Sequence, residues 1–313
     1  SGVTASGQTI ISRADLEVTA LDINKALEAA EANIPHAFSL NRKIINTIPI
    51  DYKTDGKIAL GRVEGVKAQK LEVKTLFIMC LEHHLQDLIK AIEDAGIEVI
   101  DVVAAPIAAS FVTLSKNQKK AGCVLANIGA ETTSIVVFEN NTPVSLEVFP
   151  IGGTDITNDL ALGLKIPLEE AESVKIGSVT ANSYPKKKLE EIINARLSDM
   201  FELIETHLKK IERNALLPAG IILTGGTSGL NTLRNFAENA LKLPARIAEV
   251  HFGADEKGKL KDSIWSVAYG LAILGFNAEN EQTSIGVKTG TKIMNTGNSV
   301  FRILKDWIAR FLP

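Results

Sequence analysis

Cysteine is almost missing from the 313 residues: Cys80 and Cys123 are the two present. They cannot build a disulfide framework or a cysteine zinc site, which suits a reducing cytoplasm. Aromatic side chains are scarce at 5%, so a core must be mostly aliphatic. No sign of charge dominates. The 34 Lys and Arg face 37 Asp and Glu, for a formal net charge of −3. That is not the profile of a strongly basic nucleic-acid binder, and no nucleic-acid partner is expected. No apolar run reaches the length of about 18 residues that a spanning helix needs. No basic stretch followed by an apolar region marks a signal peptide. The first residue is Ser1 rather than Met, which leads us to expect a fragment of a longer chain. What remains is ordinary globular composition, 45% hydrophobic and 23% charged with 23 Gly and 10 Pro. Disorder and collagen-like structure are excluded, and the length allows about one to three domains.

The first eighty residues or so read as a small α/β unit. Thr19 or Asp22 is placed to cap a helix from about Ile23 to Ala32, with Ala26, Leu27 and Ala30 on one face. Extended segments follow at Lys43–Ile50 and Gln69–Cys80; the second turns from alternation to a continuous apolar run. Leu85, Leu88, Ile89 and Ile92 form a helical stripe that stops near Gly96. Ile97–Val103 is expected to be a strand, and Pro106 to open a helix. The polar run Lys116–Lys120 is a candidate domain boundary.

Three strands then read as a meander: Gly122–Ile128, Thr133–Phe138 and Val144–Phe149, the last two joined by turn residues Glu139–Thr142. A helix starts after Ile151-Gly152-Gly153, with Ile156, Leu160 and Leu164 along one side. Lys/Glu-rich helical sequence runs from Lys187 to Asn214. A short strand, Gly220–Leu223, leads through Thr224-Gly225-Gly226 into a helix expected from about Gly229. Ser263–Phe276 reads as a small-residue helix, and 277–296 as a linker.

Two glycine turns sit directly after apolar strands. In Asn127-Ile128-Gly129-Ala130-Glu131-Thr132-Thr133, bare backbone at Gly129 allows N–H groups to meet a phosphate, and the hydroxyl of Thr132 or Thr133 can donate to it. In Thr224-Gly225-Gly226-Thr227, glycines let a flat base or sugar lie against the chain, and a helix start favours anions. Either turn alone is equally a plain link between elements. Their order, with Gly152-Gly153 between them, is unusual.

In these residues the sequence resembles the superfamily of actin, heat-shock chaperone ATPases and sugar kinases, and within it most closely the bacterial cell-division FtsA family. Asn127–Thr132 sits where that family has its second phosphate loop, and Ile222–Gly226 resembles its adenosine motif. Ala105-Pro106-Ile107-Ala108-Ala109-Ser110 resembles the first connecting helix and Ala268-Tyr269-Gly270-Leu271-Ala272 the second. Glu172 and Lys175 match a pattern that contacts ribose and base; without the resemblance they read as a solvated i,i+3 ion pair. The resemblance covers nearly the whole chain. It implies an α/β, actin-like (ribonuclease-H-like) ATPase fold. Residues 1–78 would be the small extra subdomain, 79–120 and 263–276 the rest of one half, and 121–262 the other half, with a tip subdomain at about 166–214. It implies a nucleotide site of Asn127, Gly129, Thr132, Thr133, Gly152, Gly153, Glu172, Lys175, Thr224, Gly225, Gly226 and Thr227, with ATP and Mg2+ as cofactors. The family's first phosphate loop, an Asp-x-Gly-Thr turn, is not found in this sequence, so a truncated member, or one that does without it, is expected. Asn127 stands where the family has Asp, and Ala130 and Glu131 where it has glycines. Nucleotide binding is therefore expected ahead of hydrolysis, and no catalytic residue is assigned.

The last stretch is a separate amphipathic segment. Val300, Phe301, Leu304, Ile308 and Phe311 recur at helical spacing with Trp307 beside them, and Arg302, Lys305 and Arg310 fall mainly elsewhere. Some twenty polar residues precede it, a flexible span of roughly 25 Å. These features describe a helix lying in a membrane interface, the alternative being one docked on its own domain. The resemblance implies a peripheral anchor at 297–313 on the cytoplasmic face of the membrane. It also implies FtsZ as partner at the tip subdomain, other division proteins at the extra subdomain, and self-association into filaments. One such helix binds weakly, so an anionic membrane surface and polymerisation belong together physically. A PilM-like pilus-assembly scaffold and, less well matched, a small-molecule kinase of the same superfamily are the alternatives. Adjacent His83-His84 point apart on a helix and do not suggest a metal site. Lys186–Lys188 and Lys209-Lys210 read as solvated faces.

Overall fold

The computed structural model describes residues 1–59, 61–177, 184–250 and 263–284, the side chains of the last helix through Phe276. The expected interfacial residues Val300, Phe301, Leu304, Trp307, Ile308 and Phe311, and the linker beyond Ser284, lie outside the described residues. The described chain falls into two compact units. The first is chiefly Ser1–Ala104 and takes in Asn141–Leu146; the second is Ala105–Asn140 with Glu147–Gly275.

The first unit is built on an antiparallel sheet of order β1-β4-β2-β3: β1 (Gly2–Ile10), β2 (Arg42–Thr54), β3 (Lys57–Ile58) and β4 (Lys70–Leu81). The sequence reading missed β1, whose small and polar residues carry no apolar signal. It is held by β4 over its whole length, from Gly2↔Ile78 to Ile10↔Lys70. Helix α1 (Ala20–Ala32) lies over this sheet, burying Ile23, Ala26 and Ala30 with Leu71, Val73 and Phe77. Thr19 is its N-cap, and Asp22 reaches back to it: Thr19 N and Oγ1 donate to Asp22 Oδ2 at 2.8 and 2.7 Å. Arg13 donates to the same carboxylate at 2.5 and 3.1 Å. A short helix α2 (His36–Ser39) precedes β2, and α3 (Glu82–Asp94) follows β4.

Ile97–Val103 is not a strand. It pairs with no strand among the described residues, and Ile97 and Ile100 are exposed. An apolar run becomes a strand only where a neighbour meets its N–H and C=O groups. The candidate boundary at Lys116–Lys120 is also corrected. It is a helix, α5 (Lys116–Ala121), capped by Ser115 and Gln118, and it follows α4 (Ala105–Thr113). Lys119 is 3% exposed, its ammonium 5.3 and 5.0 Å from the ring centres of Phe111 and Phe138.

A second sheet has the order β7-β6-β5-β8-β9, with β5 (Cys123–Ile128), β6 (Thr133–Glu139), β7 (Thr142–Phe149), β8 (Ile221–Thr224) and β9 (Ala245–Ile247). Asn140 and Asn141 take the left-handed conformations (φ 49° and 67°) of a tight hairpin turn between β6 and β7. Helices α6 (Gly153–Leu164), α7 (Leu168–Lys175) and α8 (Lys186–Lys210) separate β7 from β8. The helix expected from Gly229 begins later: Gly226–Gly229 is a single 3-10 turn, and α9 runs from Leu233 to Leu241. The last helix among the described residues, α10 (Ser266–Ser284), extends past Phe276 into the expected linker. The two segments read as connecting helices cross at one point. A Cβ at Gly270 of α10 would lie 1.9 Å from the Ala108 carbonyl oxygen of α4, so only glycine lets the backbones meet there.

Candidate functional site

β5 and β8 run parallel and in register, Asn127 opposite Thr224, so both end at the same edge of the sheet. The loops leaving them are neighbours, and ligands of open α/β sheets gather at such carboxyl edges. The β5–β6 loop closes tightly, Gly129 N donating to Thr132 O at 2.9 Å. The start of α6 docks on that loop: Gly153 N donates to Gly129 O at 2.9 Å and Thr154 N to Ala130 O at 2.8 Å. Gly152 N donates to Asp155 Oδ2 at 2.8 Å. The turn after β8 joins them, with Thr227 Oγ1 donating to Gly129 O at 3.1 Å. A Cβ on Gly153 would stand 2.4 Å from Thr227 Oγ1. The expected residues of the two glycine turns and of Gly152-Gly153 thus converge on one small region.

Glu172 and Lys175 arrive there from α7. Lys175 Nζ donates to Gly153 O at 3.1 Å and to Thr157 Oγ1 at 2.9 Å, and pairs with Glu172 Oε2 at 2.6 Å. Thr157 Oγ1 also donates to Glu172 Oε2 at 2.5 Å. The pair is not the solvated one of the plain reading, because the Lys175 side chain is only 9% exposed while Glu172 is 49% exposed. Burial would raise the Glu172 carboxyl, but hydrogen bonds from Lys175 and Thr157 outweigh it and hold the group below its ordinary value. Thr157 went unnoticed in the sequence; a hydroxyl one position past Ile156 on the buried face of α6 was the available signal.

The threonines divide. Thr132 is exposed at the loop tip beside Ala130 and Glu131. Thr133 is buried and donates to Ile151 O at 2.8 Å. Thr224 is buried, donating to Ser263 O at 2.9 Å and sharing a hydrogen bond with Ser266 Oγ. Of the two threonines offered to a phosphate, Thr132 is the one whose surface is open. Ser228, Ser263 and Ser266, which tie the turn after β8 to the start of α10, were not foreseen.

Gly225 and Gly226 differ. Gly225 is left-handed (φ 92°), and a Cβ there would sit 2.6 Å from Asn127 Oδ1 and 2.5 Å from Ile128 O. Gly226 is exposed, and a Cβ would meet nothing within 4 Å. Its bare backbone therefore faces open space at the mouth of the site. Among the described residues no three His, Cys, Asp or Glu stand together as a metal-holding group. In the first unit, a groove of ≈ 610 Å³ between α1, α2 and β2 is lined by Glu31, Ile34, His36, Arg42, Lys43 and Met79 among others.

The family model for the cell division protein FtsA matches residues 124–270. The chain is 26% identical to the cell division protein FtsA of Pseudomonas aeruginosa, over 96% of its own length and 76% of that protein. It is 29% identical to the FtsA of Bacillus subtilis, over 79% and 60%. It is 30% identical to the FtsA of Neisseria meningitidis, over 86% and 68%. Among solved structures, it is similar to a chain of the PilM-PilN type IV pilus biogenesis complex with a TM-score of 0.60 and 18% identity, over 88% of this chain and 76% of that one. It is also similar to MreB5 of Spiroplasma citri bound to AMPPNP, with a TM-score of 0.53 and 17% identity, over 66% and 68%.

Proposed function

The chain belongs to the FtsA family of cell division proteins and has the actin-like ATPase fold, and from that premise we propose that it is a nucleotide-binding scaffold that tethers FtsZ polymers to the cytoplasmic face of the membrane. The convergence of three backbone turns on Gly153 and Thr227, with an open glycine at the rim, carries the nucleotide part of this reading. A flat adenine lies against bare backbone at Gly226. Glu172, the exposed member of the pair, offers its carboxylate to ribose hydroxyls, and Lys175, whose three N–H groups are taken by Gly153, Thr157 and Glu172, holds that carboxylate in place. Thr132, at the exposed loop tip, donates to phosphate. Gly152, Gly153, Thr133, Thr224 and Thr227 hold the turns in place through the contacts described above. MreB5, solved with AMPPNP, is the neighbour of the same fold that lends weight to this assignment.

The described residues of the site do not fit a cation held directly. Asn127 is a neutral amide packed against Gly225, Asp155 is spent on the Gly152 N–H, and Glu172 is paired with Lys175. No hydrolytic step is assigned.

The membrane and FtsZ parts rest on the family and on the amphipathic pattern of 297–313. One interfacial helix binds weakly, and filaments of many copies bind well through multivalency. FtsZ is assigned to the tip at about 166–214, which holds α7 and α8. Other division proteins are assigned to the extra subdomain, whose groove at His36, Arg42 and Lys43 suits an acidic segment. A pilus scaffold shares the fold, but at 18% identity against 26–30% for the FtsA relatives, and it does not account for the interfacial pattern. Co-sedimentation with anionic vesicles, with and without FtsZ, tests the tether. The full chain should bring FtsZ down with the vesicles, and a chain ending at 296 should leave it in solution. Equal sedimentation of FtsZ by both chains rules the tether out.

A further inference from the structure

Resting on the nucleotide reading above, we propose that Thr157 is a positioning residue: its hydroxyl fixes one oxygen of the Glu172 carboxylate, and the oxygen left open selects a nucleotide whose sugar carries hydroxyls. The protons around this carboxylate are already allotted. Lys175 has three N–H groups, and Gly153 O, Thr157 Oγ1 and Glu172 Oε2 take them at 3.1, 2.9 and 2.6 Å. Thr157 has a single proton to donate. Its Oγ1 stands 2.5 Å from Glu172 Oε2 and 3.2 Å from Gly153 O, and the nearer, charged acceptor takes that proton. The Lys175 N–H that meets Oγ1 fills a lone pair there and leaves the hydroxyl proton directed at the carboxylate.

Glu172 Oε2 is thus held from two sides. Its Oε1 bonds to no protein group among the described residues, and the side chain is half exposed. An ionised carboxylate only accepts hydrogen bonds, and Lys175 and Thr157 have both turned their protons inward. The three side chains therefore present one outward acceptor and no outward donor, which suits a hydroxyl and repels a phosphate oxygen. Thr157 decides where that acceptor points. Lys175 and Glu172 share α7, whereas Thr157 is buried on α6, the helix docked on the glycine turn after β5 through Gly153 N and Gly129 O. Its hydroxyl is the direct tie between the carboxylate and that helix. A carboxylate held before the nucleotide arrives loses less freedom on binding, so the bond to the sugar is stronger.

Calorimetric titration of the 313-residue chain with ATP and with 2′,3′-dideoxy-ATP, both in Mg2+, tests this. The parent should bind ATP about tenfold more tightly, the worth of a hydrogen bond to a charged group. Thr157→Val keeps the shape and removes the hydroxyl, and Thr157→Cys keeps a weaker donor. Whichever of the two retains a cooperative unfolding transition should show a ratio of about threefold or less, through weaker ATP binding with dideoxy-ATP little changed. Thr157→Ser should restore the parental ratio. A residue with a merely structural role would weaken both nucleotides alike. Equal affinity of the parent for the two nucleotides, or a valine or cysteine variant that keeps the parental ratio, overturns the proposal and leaves nucleotide binding standing. Absence of binding to either nucleotide by a parent chain with a cooperative unfolding transition overturns both.

Discussion

Replacing Gly153 by Ala tests whether the turns meet as described. The added methyl would stand 2.4 Å from Thr227 Oγ1, about an ångström inside van der Waals contact, while its next neighbours, Gly129 O and Lys175 Nζ, are at an acceptable 3.5 Å. Only the Thr227 hydroxyl must yield. If it turns away, its bond to Gly129 O is lost, worth about 1 kcal/mol, and an off-rotamer position adds about 1 kcal/mol. Alanine recovers about 0.5 kcal/mol over glycine in a helical position. Gly153→Ala should therefore cost about 1–2 kcal/mol. Thr227→Ala alone should cost about 1 kcal/mol for the same bond. In the double variant the clash is gone and the bond already absent, so adding Gly153→Ala to Thr227→Ala should cost nothing or stabilise slightly. The coupling is then about 1–2 kcal/mol, well outside the roughly 0.5 kcal/mol scatter of independent sites. Urea unfolding of the four proteins, with unchanged m-values, measures it. Additive effects would mean that α6 and the turn after β8 do not touch, and the converged site would be refuted.

Further outcomes follow from other contacts. Gly270→Ala drives a methyl into the Ala108 carbonyl, backbone that cannot step aside, and should lower stability by about 3 kcal/mol in urea unfolding. Burial pulls the Lys119 ammonium down to about 7. The unfolded chain then holds the extra proton above that value, so stability should rise from pH 7 to 8.5 and Lys119→Met should flatten the rise. The upper limit avoids Cys123, whose thiol is pushed up to about 12 by burial and acts in the opposite direction at higher pH. The Arg13 hydrogen bond holds the Asp22 carboxyl well below the ordinary carboxylate range, against burial. Its stabilisation is present above pH ~4 and lost on further acidification, so Asp22→Asn should weaken the neutral protein and make its acid unfolding less steep.

Much of the second unit was legible because its signals are local. The glycine turns, the Asn140-Asn141 hairpin and the apolar runs of β5, β6 and β8 depend on neighbours close in sequence. The meeting of the two glycine turns was legible because β5 and β8 both end in them, and parallel pairing brings such ends together. Where the reading failed, the deciding partner was distant. Ile97–Val103 has strand composition but no adjacent strand, and β1 is a strand because β4 lies beside it rather than through its own apolar content. Lys116–Lys120 looked like a solvated break because charge hides burial; the Ser115/Gln118 cap was the local clue, and the rings that cover Lys119 come from α4 and β6. Likewise, nothing local told that Thr133 and Thr224 face inward while Thr132 faces out.

The most direct test of the account uses Gly226. A larger side chain there meets open space, so Gly226→Leu should leave urea-unfolding stability within about 0.5 kcal/mol of the parent, as surface substitutions do. It should nevertheless abolish ADP binding measured by calorimetry, because the isobutyl group fills the surface assigned to the base. A stable Gly226→Leu chain that still binds ADP at parental affinity would contradict the placement of the nucleotide and, with it, the central claim.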